Sequence, residues 1–252
     1  MFFVLKKKSV IVCVCILLVA LVAATSIGII ATSGEVSAKR LVPIYSVARD
    51  DNKVALTFDC AWGADKTRLI MDEMEKNGYK CTFFVTGFWV DANGELVKEI
   101  HSRGHQVANH SENHLHLGSA SQSTVDKEID LTAQKIEALT GEYPKYFRAP
   151  FGEYDNGLIK SLNERQTECI QWSVDSLDWK GLSGKEIADR VSNKIKCGDI
   201  VLFHNNSDHI LDALPIIMLT LKNKNLTAVR VDELVYKDNF VINGEGKQIK
   251  NS

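Results

Sequence analysis

Proline occurs only four times in 252 residues, and no tract of low complexity or repeat of fixed period interrupts the chain. Solenoid and repeat architectures, which announce themselves by a period, are therefore excluded. No charge of either sign dominates. Lys and Arg number 30 against 32 Asp and Glu, for a formal net charge of −2, which gives no electrostatic reason to expect a nucleic-acid partner. Of six cysteines none lies in a C-x-x-C pair, so neither a zinc-ribbon nor a thioredoxin-like motif is present. The H-E-x-x-H zinc helix is missing too: Ser111 follows His110, and Glu112 stands one position late. What remains is 45% hydrophobic and 25% charged, enough for one large domain with a full core, expected as a monomer.

The one long apolar run is at the front. Lys6, Lys7 and Lys8 precede an uncharged stretch from Ser9 to Gly34, with Glu35 after it. That run exceeds the roughly 20 residues a bilayer core needs and the roughly 7–15 of a signal-peptide h-region. The lysines place the N-terminus in the cytoplasm by the positive-inside rule. The expectation is an uncleaved single-pass anchor, preferred to cleavage near Val36-Ser37-Ala38, with the following domain outside the cell membrane. Residues 1–34 form the anchor, 35–49 a linker, 50–236 the globular domain and 237–252 a tail. Cys60, Cys81, Cys169 and Cys197 lie in the exported part, where sequence does not choose among their pairings. Sequons at Asn109, Asn205 and Asn225 are read as chance.

From Lys53 onward two periodicities alternate. Short β-rich runs occupy residues 54–58, 81–87, 105–110, 145–150, 169–175, 199–204 and 227–234. Helical spacing fills the gaps, most clearly over 123–139, where Val125, Ile129, Ala133 and Ile136 share a face and Ser123 with Asp126 resembles a capping box. Alternation repeated about seven times predicts a parallel α/β sheet. The unusual polar residues fall at the ends of its strands: Asp59, His110, Arg148, Asp175 and His204. Sites of parallel α/β proteins gather at carboxyl strand ends. Five such ends converge in a closed barrel and not in an open sheet, so a (β/α) barrel with about seven parallel strands is expected.

Two histidines four apart, His110 and His114, are a common half of a transition-metal site. Together with Thr57-Phe58-Asp59, Arg148-Ala-Pro-Phe-Gly152, Asp175-Ser-Leu-Asp-Trp179 and Leu202-Phe-His204, the order resembles the polysaccharide deacetylase family, the NodB-homology domain of carbohydrate esterase family 4. The resemblance covers roughly residues 50–236. The leader followed by Thr57-Phe-Asp-Cys-Ala-Trp-Gly63 is most similar to the family's sporulation-type branch. It implies a distorted (β/α) barrel of seven or eight strands and hydrolysis of the N-acetyl amide of a cell-wall glycan such as peptidoglycan, in spore or envelope formation.

By resemblance, His110 and His114 are ligands of a divalent metal, most naturally zinc. A metal lowers the pKa of bound water towards about 7 and polarises the amide carbonyl. Asp59 is then the general base, held ionised by Arg148; His204 is the general acid, aligned by Asp175. The Phe151 backbone N–H is the oxyanion donor, and Trp179 and Leu202 line the acetyl pocket. His116 and His209 are read as exposed loop residues. The sequence departs from the family at Cys60, where the pattern has a second aspartate as third ligand. Three readings follow: a thiolate ligand at Cys60, Asp65 swinging in from the loop, or two histidines and water with activity poor or lost. The last makes the chain a catalytically silent glycan-binding relative.

Overall fold

The computed structural model describes residues 40–251. The membrane anchor expected over residues 1–34 lies outside them. Among the described residues no helix is long and apolar enough to cross a membrane.

A curled parallel sheet carries the domain. Its strands are β2 (Lys53–Cys60), β3 (Thr82–Val85), β4 (Gln106–Asn109), β5 (Tyr146–Phe147), β6 (Glu168–Cys169), β7 (Val174–Asp175) and β8 (Ile200–His204), in spatial order β6-β5-β4-β3-β2-β8-β7. An eighth, β9 (Thr227–Val229), pairs with the first half of β2. Every pairing in this sheet is parallel, as strand–helix alternation requires. The expected seven runs are all present, with one refinement. The run 169–175 breaks into β6 and β7, which become the two edges of the sheet instead of one strand.

The barrel is therefore a half-barrel and does not close as expected. The segment before β2 accounts for this. Ile44 N–H donates to the Cys169 carbonyl (2.9 Å), and the Ile44 carbonyl accepts from Gln171 N–H (2.8 Å), so residue 44 takes the free edge of β6. Part of the linker expected over 35–49 is thus built into the fold. Strand β1 (Ser46–Val47) pairs with β11 (Lys247–Lys250), itself antiparallel to β10 (Phe240–Ile242). The last two lie where a tail was expected. Their residues show little apolar run, which is why periodicity missed them.

Strand alternation sorts side chains to two faces. Val54, Leu56, Phe58 and Cys60 of β2, with Val201 and Phe203 of β8, pack outward beneath helices α1 (Thr67–Lys76), α3 (Gly94–Ser102), α6 (Gly184–Ser192) and α7 (Ile210–Asn223). Short α2 (Gly87–Ala92) precedes α3. The concave face holds Ala55, Phe84, Ala108 and Ile200, plugged by Ile44, Val47 and α8 (Val231–Leu234). Helices α4 (Gln122–Thr140) and α5 (Asn156–Glu164) shelter a third cluster around Phe147. The α4 N-cap is Ser121, whose side chain accepts from Thr124 N–H, two places before the expected Ser123; Gly141, in the left-handed region at φ 76°, ends it.

Candidate active site

Asp59 and His204 are direct register partners on adjacent β2 and β8, which puts them at the same carboxyl end on the same face. Asp59 is buried. Arg148, at the end of β5, sends Nη1 to Asp59 Oδ1 at 2.6 Å. Its guanidinium is 0% exposed, lies 4.0 Å over the Phe84 ring, and donates further to the carbonyls of Ile170 and Gln171. Burial pushes the Asp59 carboxyl up; the charge of Arg148, then His110 and His204, outweighs it and holds the group below the usual carboxylate range.

His110 follows β4. Its Nδ1–H donates to the Arg148 carbonyl (2.8 Å), which leaves Nε2 facing Asp59 Oδ2 at 3.5 Å. Burial lowers its pKa. The four-residue spacing to His114 is made by a tight turn, not a helix. Ser111 N–H donates to Asn109 Oδ1, and Ser111 Oγ accepts from His114 N–H. Ser111 and His114 take positive φ, 70° and 55°. Two buried carboxylates brace the turn. Glu128 of α4 accepts from the Asn113 backbone and side-chain N–H groups (both 2.7 Å), and Glu112 accepts from Thr132 (2.9 Å) and from Lys135. Gly87 is what lets Glu112 in: a Cβ there would stand 1.7 Å from Glu112 Oε2. Sequence reasoning weighed Glu112 only as a base standing one position late for a zinc helix, and passed over Glu128 altogether. His114 stands 4.9 Å from His110, ring to ring, and burial first, then His110, lowers its pKa to about 4.

The carboxylate that holds His204 is Asp178, not Asp175. Asp178 Oδ1 accepts from His204 Nδ1 and Oδ2 from the His204 backbone N–H, both at 2.8 Å. Asp175 instead accepts from Leu177 N–H (2.9 Å), closing a turn in which Leu177 takes φ 54° and the chain swings Asp178 back over the strand end. Burial pulls the imidazole down; the hydrogen bond and charge of Asp178, with Asp59 and Asp175 behind them, raise its pKa above the ordinary value. Leu202 is buried on the His204 face of β8, in register with Asp175. Trp179 is 60% exposed beneath Lys180, and Phe151 is 55% exposed at φ 59°. His116 is an exposed loop residue, as expected, and it stacks on Phe151 with ring centres 4.0 Å apart and contacts Glu153. His209 is exposed beside Asp212, as expected.

Cys60 does not join the histidines. It is the last residue of β2, paired with Val85, and alternation turns it away from Asp59 into the outer core; it is 0% exposed, its thiol 3.7 Å from the Phe58 carbonyl, and burial raises its pKa well above the ordinary thiol. Asp65 is an exposed loop residue. Among the described residues no group of three His, Cys, Asp or Glu side chains is placed to hold a metal. Two imidazoles with one free nitrogen identified are half a centre, and the residues present do not complete one. A cavity of about 660 Å³ opens at the other, amino ends of the strands, beside His101, Tyr146 and Glu168, and holds none of the side chains above.

Fold and site together define a class: a parallel α/β half-barrel whose carboxyl strand ends face a buried carboxylate–guanidinium pair towards a carboxylate–imidazole pair, an acid–base arrangement. Comparison with known proteins narrows it. The polysaccharide deacetylase family profile matches residues 46–170. The chain is 32% identical over 196 residues to a peptidoglycan-N-acetylglucosamine deacetylase of Bacillus cereus, covering 75% of this chain and 71% of that protein. An uncharacterized Bacillus subtilis protein is 31% identical over 193 residues, 77% of this chain, which spans only 60% of that relative's length. A crystal structure of a CE4 family pseudoenzyme from Bacillus anthracis superposes with a TM-score of 0.74 at 30% identity, over 81% of this chain and 69% of that one. The chain belongs to the polysaccharide deacetylase family.

Proposed function

We propose that the domain hydrolyses the N-acetyl amide of a cell-wall glycan. The observation that carries this is the facing of two tuned pairs: Asp59 held ionised by Arg148, and His204 whose protonated form is favoured by Asp178. A site that only binds sugar has no use for a base and an acid whose pKa values are pushed apart. In this reading Asp59 takes a proton from water, whose oxygen attacks the acetyl carbonyl carbon. The Phe151 N–H faces the developing oxyanion. His204 then gives its proton to the amine nitrogen as the C–N bond breaks, leaving acetate and a free amino sugar. Leu202 packs against the acetyl methyl, and Trp179 borders the pocket. His110, with Nδ1 locked on the Arg148 carbonyl, orients that strand end and Asp59. Because the donor set stops at two imidazoles, no step is assigned to zinc or another metal. The substrate is an N-acetylated glycan met outside the membrane by a domain anchored through its leader, in a sporulating or envelope-building cell.

A second reading is favoured by Cys60 alone. With the third-ligand position committed to the core, the domain is a glycan-binding relative in which the acid and base are idle. Acetate release from N-acetylated oligosaccharides by the wild-type chain separates the two: sustained release supports the hydrolase, and binding without release supports the second.

A further inference from the structure

The cavity of about 660 Å³ at the amino ends of the strands is of ligand size and lies apart from the acid–base site. Tyr146 opens β5, Glu168 opens β6, and the two are direct register partners. Their side chains therefore stand side by side on the concave face of the sheet. Gln106, which opens β4, shares the same wall.

Each of these three residues has a polar group left over. Tyr146 is 6% exposed, yet among the described residues its hydroxyl has no hydrogen-bond partner. The charges that act on that hydroxyl, Asp232, Glu168 and Arg230, all belong to the cavity wall, so it points into the space. Asp232 is already paired with Arg230, both oxygens at 3.0 Å. Glu168 is not paired: it is half-buried, meets no cation among the described residues, and burial alone raises its pKa. Gln106 spends Oε1 on the Thr82 hydroxyl (2.9 Å) and the Asp232 N–H (3.3 Å), which leaves its amide nitrogen to donate.

A partly desolvated carboxylate without a partner costs free energy that a bound cation returns. Lys145 is one residue before Tyr146, yet it stays exposed and pairs with no acid among the described residues; exposed Lys237 does the same. The floor of the cavity is thus anionic and its rim cationic. We propose that this cavity is a second binding site, one that takes the amino end of a short peptide. The ammonium sits on Glu168 and the Tyr146 hydroxyl oxygen, the first carbonyl accepts from the Gln106 amide, and the carboxyl end reaches the rim lysines. An ammonium brings three donors and the charge that Glu168 lacks. An anion alone is repelled at the floor. The proposal is independent of the hydrolase reading, since none of the acid–base residues lines this cavity.

The test is calorimetric titration of the full chain with trialanine, N-acetyl-trialanine and trialanine amide, alongside Glu168→Gln and Tyr146→Phe. Trialanine is expected to bind, with affinity reduced about ten-fold or more by N-acetylation and about three-fold by amidation. Glu168→Gln weakens trialanine by about ten-fold or more and Tyr146→Phe by about three-fold. Without peptide, Glu168→Gln raises the thermal midpoint at neutral pH, because it removes an unpaired half-buried charge; a carboxylate with a structural partner gives a fall instead. No trialanine binding by wild type, equal binding of the acetylated peptide, unchanged affinity in Glu168→Gln, or a lowered midpoint in that variant overturns the proposal.

Discussion

Replacing Arg148 by methionine removes a charge from the driest part of the site while keeping much of the stem. The guanidinium is 0% exposed and 2.6 Å from the buried Asp59 carboxylate. Breaking a buried pair by deleting one partner costs ~3–5 kcal/mol, because the other charge stays behind uncompensated. In a domain of this length each kcal/mol lowers the thermal midpoint by about 2–4 °C, so the fall at neutral pH is roughly 6–20 °C. The pH dependence inverts as well. In the wild type the Asp59 carboxyl lies below its unfolded value of about 3.9, so it stabilises above that pH and the contribution is lost as pH falls through the lower folded value. In Arg148→Met burial wins, the folded value rises above the unfolded one, and the variant regains stability as pH drops from 7 towards 4. The double variant Arg148→Met with Asp59→Asn recovers a large part of the loss. Thermal melts followed by circular dichroism across that pH range read all three. A single variant that loses less than about 1 kcal/mol, or one whose pH profile runs parallel to wild type, refutes the buried-pair account.

Asp178→Asn lowers the pKa of His204, seen in its imidazole NMR titration and in a downward shift of the upper limb of any pH–rate profile, whereas Asp175→Asn moves it far less. The sign follows from the raised imidazole value: its stabilising contribution is whole below about pH 6.5 and fades as pH rises through the folded value. Cys60→Ser leaves zinc uptake by the wild-type chain unchanged, while His110→Ala and His114→Ala each reduce whatever uptake there is; a Cys60→Ser loss of about ten-fold or more, by equilibrium dialysis, contradicts the outward-facing thiol. Cys60→Asp places a carboxylate in the core beside Phe58 and lowers the thermal midpoint instead of creating a ligand.

What the sequence made legible was whatever repeats along a strand or helix. The five polar strand ends were found because each interrupts an apolar run, and Asp59, Arg148, His110 and His204 do meet. Choosing Asp175 over Asp178 failed because the decision lies in a turn: the Asp175 carboxylate is spent on Leu177 N–H, and a left-handed residue then delivers Asp178 to the histidine. No periodicity encodes that. Cys60 was decidable in part, since strand alternation places neighbours of Asp59 on the opposite face, provided the strand runs on through residue 60, as its pairing with Val85 shows. The half-barrel opening was hidden because residue 44, a long way back in sequence, occupies the β6 edge through two backbone hydrogen bonds that no side-chain pattern foretells.

The central claim is that Asp59 and His204 act as base and acid on an N-acetyl amide. The most direct measurement is acetate released from N-acetylated peptidoglycan fragments by the wild-type full chain, Asp59→Asn and His204→Ala. The account predicts release by wild type and a fall of roughly 100-fold or more in each variant, with glycan affinity retained. Wild-type protein that binds the fragments and releases no acetate, or an Asp59→Asn variant that releases it at the wild-type rate, contradicts it.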